Sequence, residues 1–251
     1  MAGIMCYLEK PGVFKQNNVS FFHIWPNIEL CKENILKKTR ISASEFMDKH
    51  SQHYRQIAII RDPIERFTSA FVLICIFQSK KYDCFKCNGS IECVIHKIYD
   101  RYSNIQQSLD NLDNRSLFLL DYHFMPQSWY CGFNQYLHKY QIYMYNAAKK
   151  DEFIDDITRD LNHMDGVDAN VTEYINIQLK SKFATHTTTG SDAHENTWNI
   201  LSRRPDLLKI LLNIYYFDFK LFNIPIDKYY DLIRNTNCNP IVSIDTNFSG
   251  K

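Results

Sequence analysis

Between Gln56 and Ile74 the arrangement of apolar positions changes period once. Residues Gln56 to Ile60 form a short apolar, β-branched run of the kind that fills a buried strand. Asp62-Pro63 then supplies a helix cap followed by the residue favoured at the first helical position. Beyond it, Ile64, Phe67, Phe71 and Ile74 recur at three- and four-residue steps, which places them on one face of a helix. The pattern predicts a strand, a tight turn and a helix.

The same reading predicts strands at Val19 to Ile24 and Gln141 to Tyr145. It predicts helices over Leu30 to Lys38, Ser44 to His53, Ile91 to Leu109, Asp151 to His163 and Val171 to Leu179, and a long helical stretch from Ala193 to Phe222. Strands alternating with helices imply an α/β class with a central, mainly parallel sheet flanked by helices. With no internal repeat and no evident linker, residues 1–251 are expected to form a single domain.

Composition narrows the class. Apolar residues make up 45% and aromatic residues 14% of the chain, which is enough for a substantial core. Lys and Arg (29) balance Asp and Glu (28), so the broad basic footprint of a nucleic-acid binder is missing, and any anion must be held locally. The longest apolar runs, such as Ala70 to Ile76, are too short to span a bilayer. The opening MAGIMCYL lacks the charged leader of an export signal. Eight cysteines, with Cys75, Cys84, Cys87 and Cys93 clustered, point instead to an oxidising compartment, as do Asn-X-Ser/Thr sequons at Asn18, Asn88, Asn114, Asn170 and Asn247.

The turn at Arg61 has the makings of an anion site. A helix N-terminus offers unpaired N–H groups and partial positive charge, and an arginine at the carboxyl end of the preceding strand adds a planar fork of donors. Ser69, two helical turns further on, adds a hydroxyl within reach of the same anion. A salt-bridged Arg61 and a small residue at a helix contact are the alternative reading of these two positions.

The string Arg61-Asp62-Pro63-Ile64-Glu65-Arg66-Phe67-Thr68-Ser69-Ala70-Phe71 closely resembles the RDPxxRFxSxF motif of carbohydrate sulfotransferases of the chondroitin 4-O type, in their nematode branch. His123-Phe124-Met125-Pro126-Gln127-Ser128-Trp129-Tyr130-Cys131 resembles the family's H-x-x-P-Q-x-W-x-C segment. His186-Thr187-Thr188 and the run from Tyr215 to Ile224 resemble its C-terminal elements, and Cys75 to Cys93 its cysteine-rich insert. The resemblance implies a P-loop-like sulfotransferase fold and transfer of a sulfo group from 3′-phosphoadenosine 5′-phosphosulfate (PAPS), without a metal, to a hydroxyl of chondroitin or a related glycan. It assigns Arg61 and Ser69 to the 3′-phosphate of the donor. It also implies residence in the Golgi lumen as a type II membrane protein.

For the base that takes the acceptor proton, His123 is the first candidate and His186 the second. Lys182 and the Arg203-Arg204 pair are candidates to attract an anionic glycan, and Trp129 and Tyr130 to stack on a sugar. Family members carry a Lys-Ser-x-Ser-Thr loop for the 5′-phosphosulfate just before a helix that Ile4 to Leu8 resembles. The chain begins after that point, so the expectation is an N-terminally incomplete domain, without loop or membrane anchor, and inactive as it stands. Two other readings follow. One is a non-catalytic relative that binds nucleotide or glycan. The other is a zinc-binding module built on Cys84, Cys87, Cys93 and His96.

Overall fold

The computed structural model describes residues 56–103, 115–164, 166–181 and 187–238. The expected strand at Val19 to Ile24 and the helices at Leu30 to Lys38 and Ser44 to His53 lie outside them. The described residues gather into two compact units, the first within residues 56–66 and 127–189, the second within residues 67–126 and 190–238.

In the first unit, strand β1 (Gln56–Arg61) pairs in parallel with β2 (Tyr140–Tyr145), in a register that sets Gln56 opposite Tyr140 and Arg61 opposite Tyr145. A short helix (Phe133–Tyr136) precedes β2. Two longer helices follow it, Lys150–Asn162 and Ala169–Ser181, called here α5 and α6 in chain order. Their apolar stripes meet the sheet in a core of Tyr143, Ile157, Leu161 and Ile175, with Ile57, Ile59 and Phe153 packed alongside. Polar bonds fasten the same layer. The Tyr143 hydroxyl donates to Asp160 at 2.5 Å, and the Thr172 hydroxyl donates to the Asn162 side chain.

Helix α1 (Pro63–Phe71) begins in the first unit and ends in the second, where a π-helical turn, Val72–Phe77, extends it. The predicted face is fully realised, with Ile64, Phe67, Phe71 and Ile74 all buried. The second unit continues with α2 (Ile91–Ser103), α3 (Arg115–Phe124), α7 (Asp192–Arg203), α8 (Pro205–Ile214), α9 (Tyr216–Leu221) and α10 (Asp227–Cys238). Its centre is α8, whose Leu207, Leu208, Leu211 and Leu212 pack among α2, α7 and α10. The buried Tyr215 donates its hydroxyl to the carbonyl of Phe124 at 2.7 Å.

The expected long helix from Ala193 to Phe222 is in fact three. Arg204, at φ −119° and ψ 79°, breaks the first, because a residue before proline is pushed out of the helical region, and Pro205 starts the next. Tyr215 makes the second break. The described chain is thus mostly helical with a two-stranded parallel sheet, and this is compatible with an α/β sulfotransferase fold. No helix among the described residues is long and apolar enough to cross a membrane.

Candidate functional site

The site is built at the carboxyl end of β1. Arg61 ends the strand, and Asp62 turns the chain into α1 by accepting hydrogen bonds from the backbone N–H groups of Ile64 (3.0 Å) and Glu65 (3.2 Å) on one carboxylate oxygen. This corrects one step of the anion-site argument. The first amides of the helix are engaged by Asp62, so an anion here relies on side chains more than on the bare helix terminus.

The backbone of Arg61 is held from 66 positions away in the sequence. Its N–H donates to Gln127 Oε1 at 2.9 Å, and Gln127 Nε2 donates to its carbonyl at 2.7 Å. Gln127 opens a 3₁₀ turn (Gln127–Trp129) and is 8% exposed. In the sequence this glutamine stands out only as one letter of the H-x-x-P-Q segment. Its pairing is long-range, and the one signal for it was the Pro126-Gln127 step inside the H-x-x-P-Q segment.

The Arg61 side chain is 19% exposed. Its guanidinium lies 3.7 Å from Glu65 and 5.6 Å from the centre of the Tyr145 ring, and among the described residues it makes no hydrogen bond. Burial pushes its pKa below the usual arginine value, against the opposing pull of Glu65, Tyr145 and Asp62. A cation in this state gains from any anion that brings hydrogen-bond acceptors to it.

Ser69 lies further along α1, in the part belonging to the second unit. Its hydroxyl oxygen is buried and has no hydrogen-bond partner among the described residues. Helical hydroxyls elsewhere satisfy themselves on the preceding turn, as Thr158 does on the Ile154 carbonyl (2.8 Å) and Thr197 on that of Ala193 (2.7 Å). A buried hydroxyl left without a partner is uncommon in folded proteins.

His123 sits near the end of α3, half-buried, with its ring edge-on to exposed Tyr122 at 5.8 Å. His186 and Lys182 lie outside the described residues. Arg61 and Ser69 thus share one continuous strand-turn-helix, while His123 belongs to a separate element of the second unit.

Other candidates change standing. Arg204 is paired with Asp206 (2.6 Å) and Glu92 (3.1 Å). Trp129 is 40% exposed, which leaves its ring open to solvent. The zinc reading is overturned, because Cys75 is bonded to Cys84 and Cys87 to Cys93, and disulfide sulfurs are not thiolate ligands.

The chain is 29% identical to carbohydrate sulfotransferase chst-1 of Caenorhabditis elegans over 89% of its own length and 68% of that protein's. It is 28% identical to C18B2.2, an uncharacterized protein of the same nematode, over 90% of this chain and 63% of that one. The chain therefore spans about two thirds of the length of these relatives. No solved structure matches it. The sequence pattern of the Sulfotransferase family matches residues 1–225, which include the whole strand-turn-helix and the Gln127 turn, and the chain belongs to that family.

Proposed function

We propose that this protein is a carbohydrate sulfotransferase that uses PAPS as donor and a hydroxyl of chondroitin or a related glycan as acceptor. The observation that carries the reading is the state of the motif residues. Among the described residues the half-buried Arg61 makes no hydrogen bond through its guanidinium and the buried Ser69 hydroxyl has no partner, so both have donors to offer a phosphate oxygen. Arg61 and Ser69 take the 3′-phosphate. In the reaction the sulfur of the donor bonds to the sugar oxygen as its bond to the 5′-phosphate oxygen breaks, releasing adenosine 3′,5′-bisphosphate, and the sugar proton passes to a base. His123 is assigned that role, with His186 as the alternative. The sheet of which β1 and β2 are part is read as P-loop-like and central to a single sulfotransferase domain. Two disulfides and an exposed sequon at Asn88 support passage through the secretory route to the Golgi lumen.

Calorimetric titration tests the donor site. Adenosine 3′,5′-bisphosphate is expected to bind more tightly than adenosine 5′-phosphate, and equal affinities would remove the basis for the reading. Transfer of labelled sulfate from PAPS to desulfated chondroitin, measured against other glycans, tests the reaction and the acceptor class.

A further inference from the structure

Gln127 makes a pair of hydrogen bonds to the backbone of Arg61. A side-chain carboxamide here does what the peptide group of a neighbouring strand would do, accepting from the N–H and donating to the C=O of one residue. The two bonds are short, the glutamine is buried, and the two residues lie far apart in sequence. Among the described residues the guanidinium of this same Arg61 makes no hydrogen bond of its own to fix it. An arginine side chain is flexible, and its reach is set first by the direction in which the backbone launches it. Glu65 at 3.7 Å and the Tyr145 ring at 5.6 Å are too loose to impose a single placement.

We infer that Gln127 is a positioning residue for the donor site: by closing both backbone bonds of Arg61 it fixes the end of β1, and thereby aims the guanidinium at the 3′-phosphate. The inference rests on the donor-site reading above. The carboxamide is specific to the task. Glutamate offers no donor to the Arg61 carbonyl, methionine neither donor nor useful acceptor, and asparagine stops one methylene short. Loss of the contact leaves a buried N–H and C=O unpaired at the strand end, which relaxes by shifting the backbone and carrying the guanidinium with it. Displacements of about 1 Å are enough to weaken a charge-assisted pair.

The test measures affinity of the full chain for adenosine 3′,5′-bisphosphate and for adenosine 5′-phosphate, which lacks the group that Arg61 holds. Parent, Gln127→Met, Arg61→Ala and the double variant are compared. Gln127→Met is expected to bind the bisphosphate about tenfold more weakly while keeping its affinity for the 5′-phosphate, and the double variant to bind no worse than Arg61→Ala alone. Where Gln127→Met does not fold, Gln127→Asn takes its place, because it keeps an uncharged carboxamide and only stops one methylene short of the Arg61 backbone, and the same selective loss is expected. Equal losses for both nucleotides would reduce Gln127 to a structural residue and overturn the inference. So would additive losses in the double variant, or an unchanged preference for the bisphosphate. A parent that does not distinguish the two nucleotides would overturn the donor-site reading and this inference with it, whereas a parent that does, alongside a variant that still does, would overturn this inference alone.

Discussion

Two arginines, one in each unit, are buried to almost the same degree and live in opposite states. Arg101, at 17% side-chain exposure, closes a two-pronged contact on the buried carboxylate of Asp121, with Nε to Oδ1 at 2.7 Å and Nη2 to Oδ2 at 2.5 Å. Arg61, at 19%, has the Glu65 carboxylate at 3.7 Å and the Tyr145 ring at 5.6 Å, and its guanidinium makes no hydrogen bond among the described residues. The consequences for charge run in opposite directions. Hydrogen bonding to Asp121 raises the pKa of Arg101, whereas burial lowers that of Arg61. Burial therefore does not distinguish a structural arginine from a binding one. The geometry of the partner does. A fork filled by its own chain fastens α2 to α3, and a fork with no hydrogen-bond partner among the described residues keeps its donors available, as the proposed donor site requires.

The comparison breaks most readily at its structural side. Asp121→Ala leaves Arg101 buried without its carboxylate and is expected to cost about 3–5 kcal/mol of folding stability, read as a shift in the urea unfolding midpoint. A loss under about 1 kcal/mol would mean that Arg101 is no more fixed than Arg61. On the binding side, Arg61→Ala is expected to weaken adenosine 3′,5′-bisphosphate by about 1.5–3 kcal/mol in calorimetry, with little loss of stability, since no hydrogen bond within the described chain disappears. Arg61→Lys sharpens the distinction between charge and shape. It keeps the charge and loses the planar fork, so its affinity should fall between those of parent and alanine variant, about 1 kcal/mol below parent. Full retention by lysine would show that a point charge suffices. The smallest effect belongs to Ser69→Ala. Removing an unpartnered buried hydroxyl should leave thermal stability unchanged or slightly raised, while the bisphosphate loses about 1 kcal/mol. A lower melting temperature together with unchanged binding would turn Ser69 into a structural residue.

Much of this region was legible before any coordinates. The β-branched run, the Asp62-Pro63 step and the Ile64, Phe67, Phe71, Ile74 spacing are local signals, and local signals give β1 and α1. The strand at Tyr140–Tyr145 and the helices at Lys150–Asn162 and Ala169–Ser181 fall within two residues of their predicted bounds for the same reason. The break at Arg204 had its signal in Pro205, yet the strong leucine periodicity on either side masked it. Helix α10 went unread because its mixed polar and aromatic sequence carries only a few buried positions, among them Tyr229 and Ile233. The site divides along similar lines. Arg61 and Ser69 stand out from the motif string, but Asp62 taking up the helix amides and Gln127 holding the strand end are decided by side-chain placement, and the latter by a contact across 66 positions that no periodicity encodes.

The two disulfides also bear on the order in which the chain acquires its shape. Cys75 and Cys84 are nine residues apart, Cys87 and Cys93 six, so each loop closes at small entropic cost as soon as its own residues are available. Helix α8, against which α2 packs, begins only at Pro205 and is synthesised much later. The stapled segment from Cys75 to Cys93 can therefore be set while its eventual neighbours are still on the ribosome. On the secretory route proposed above, the start of α2 at Ile91 is then already fixed when α8 arrives, and late folding becomes the docking of helices onto a preformed corner rather than a search for it.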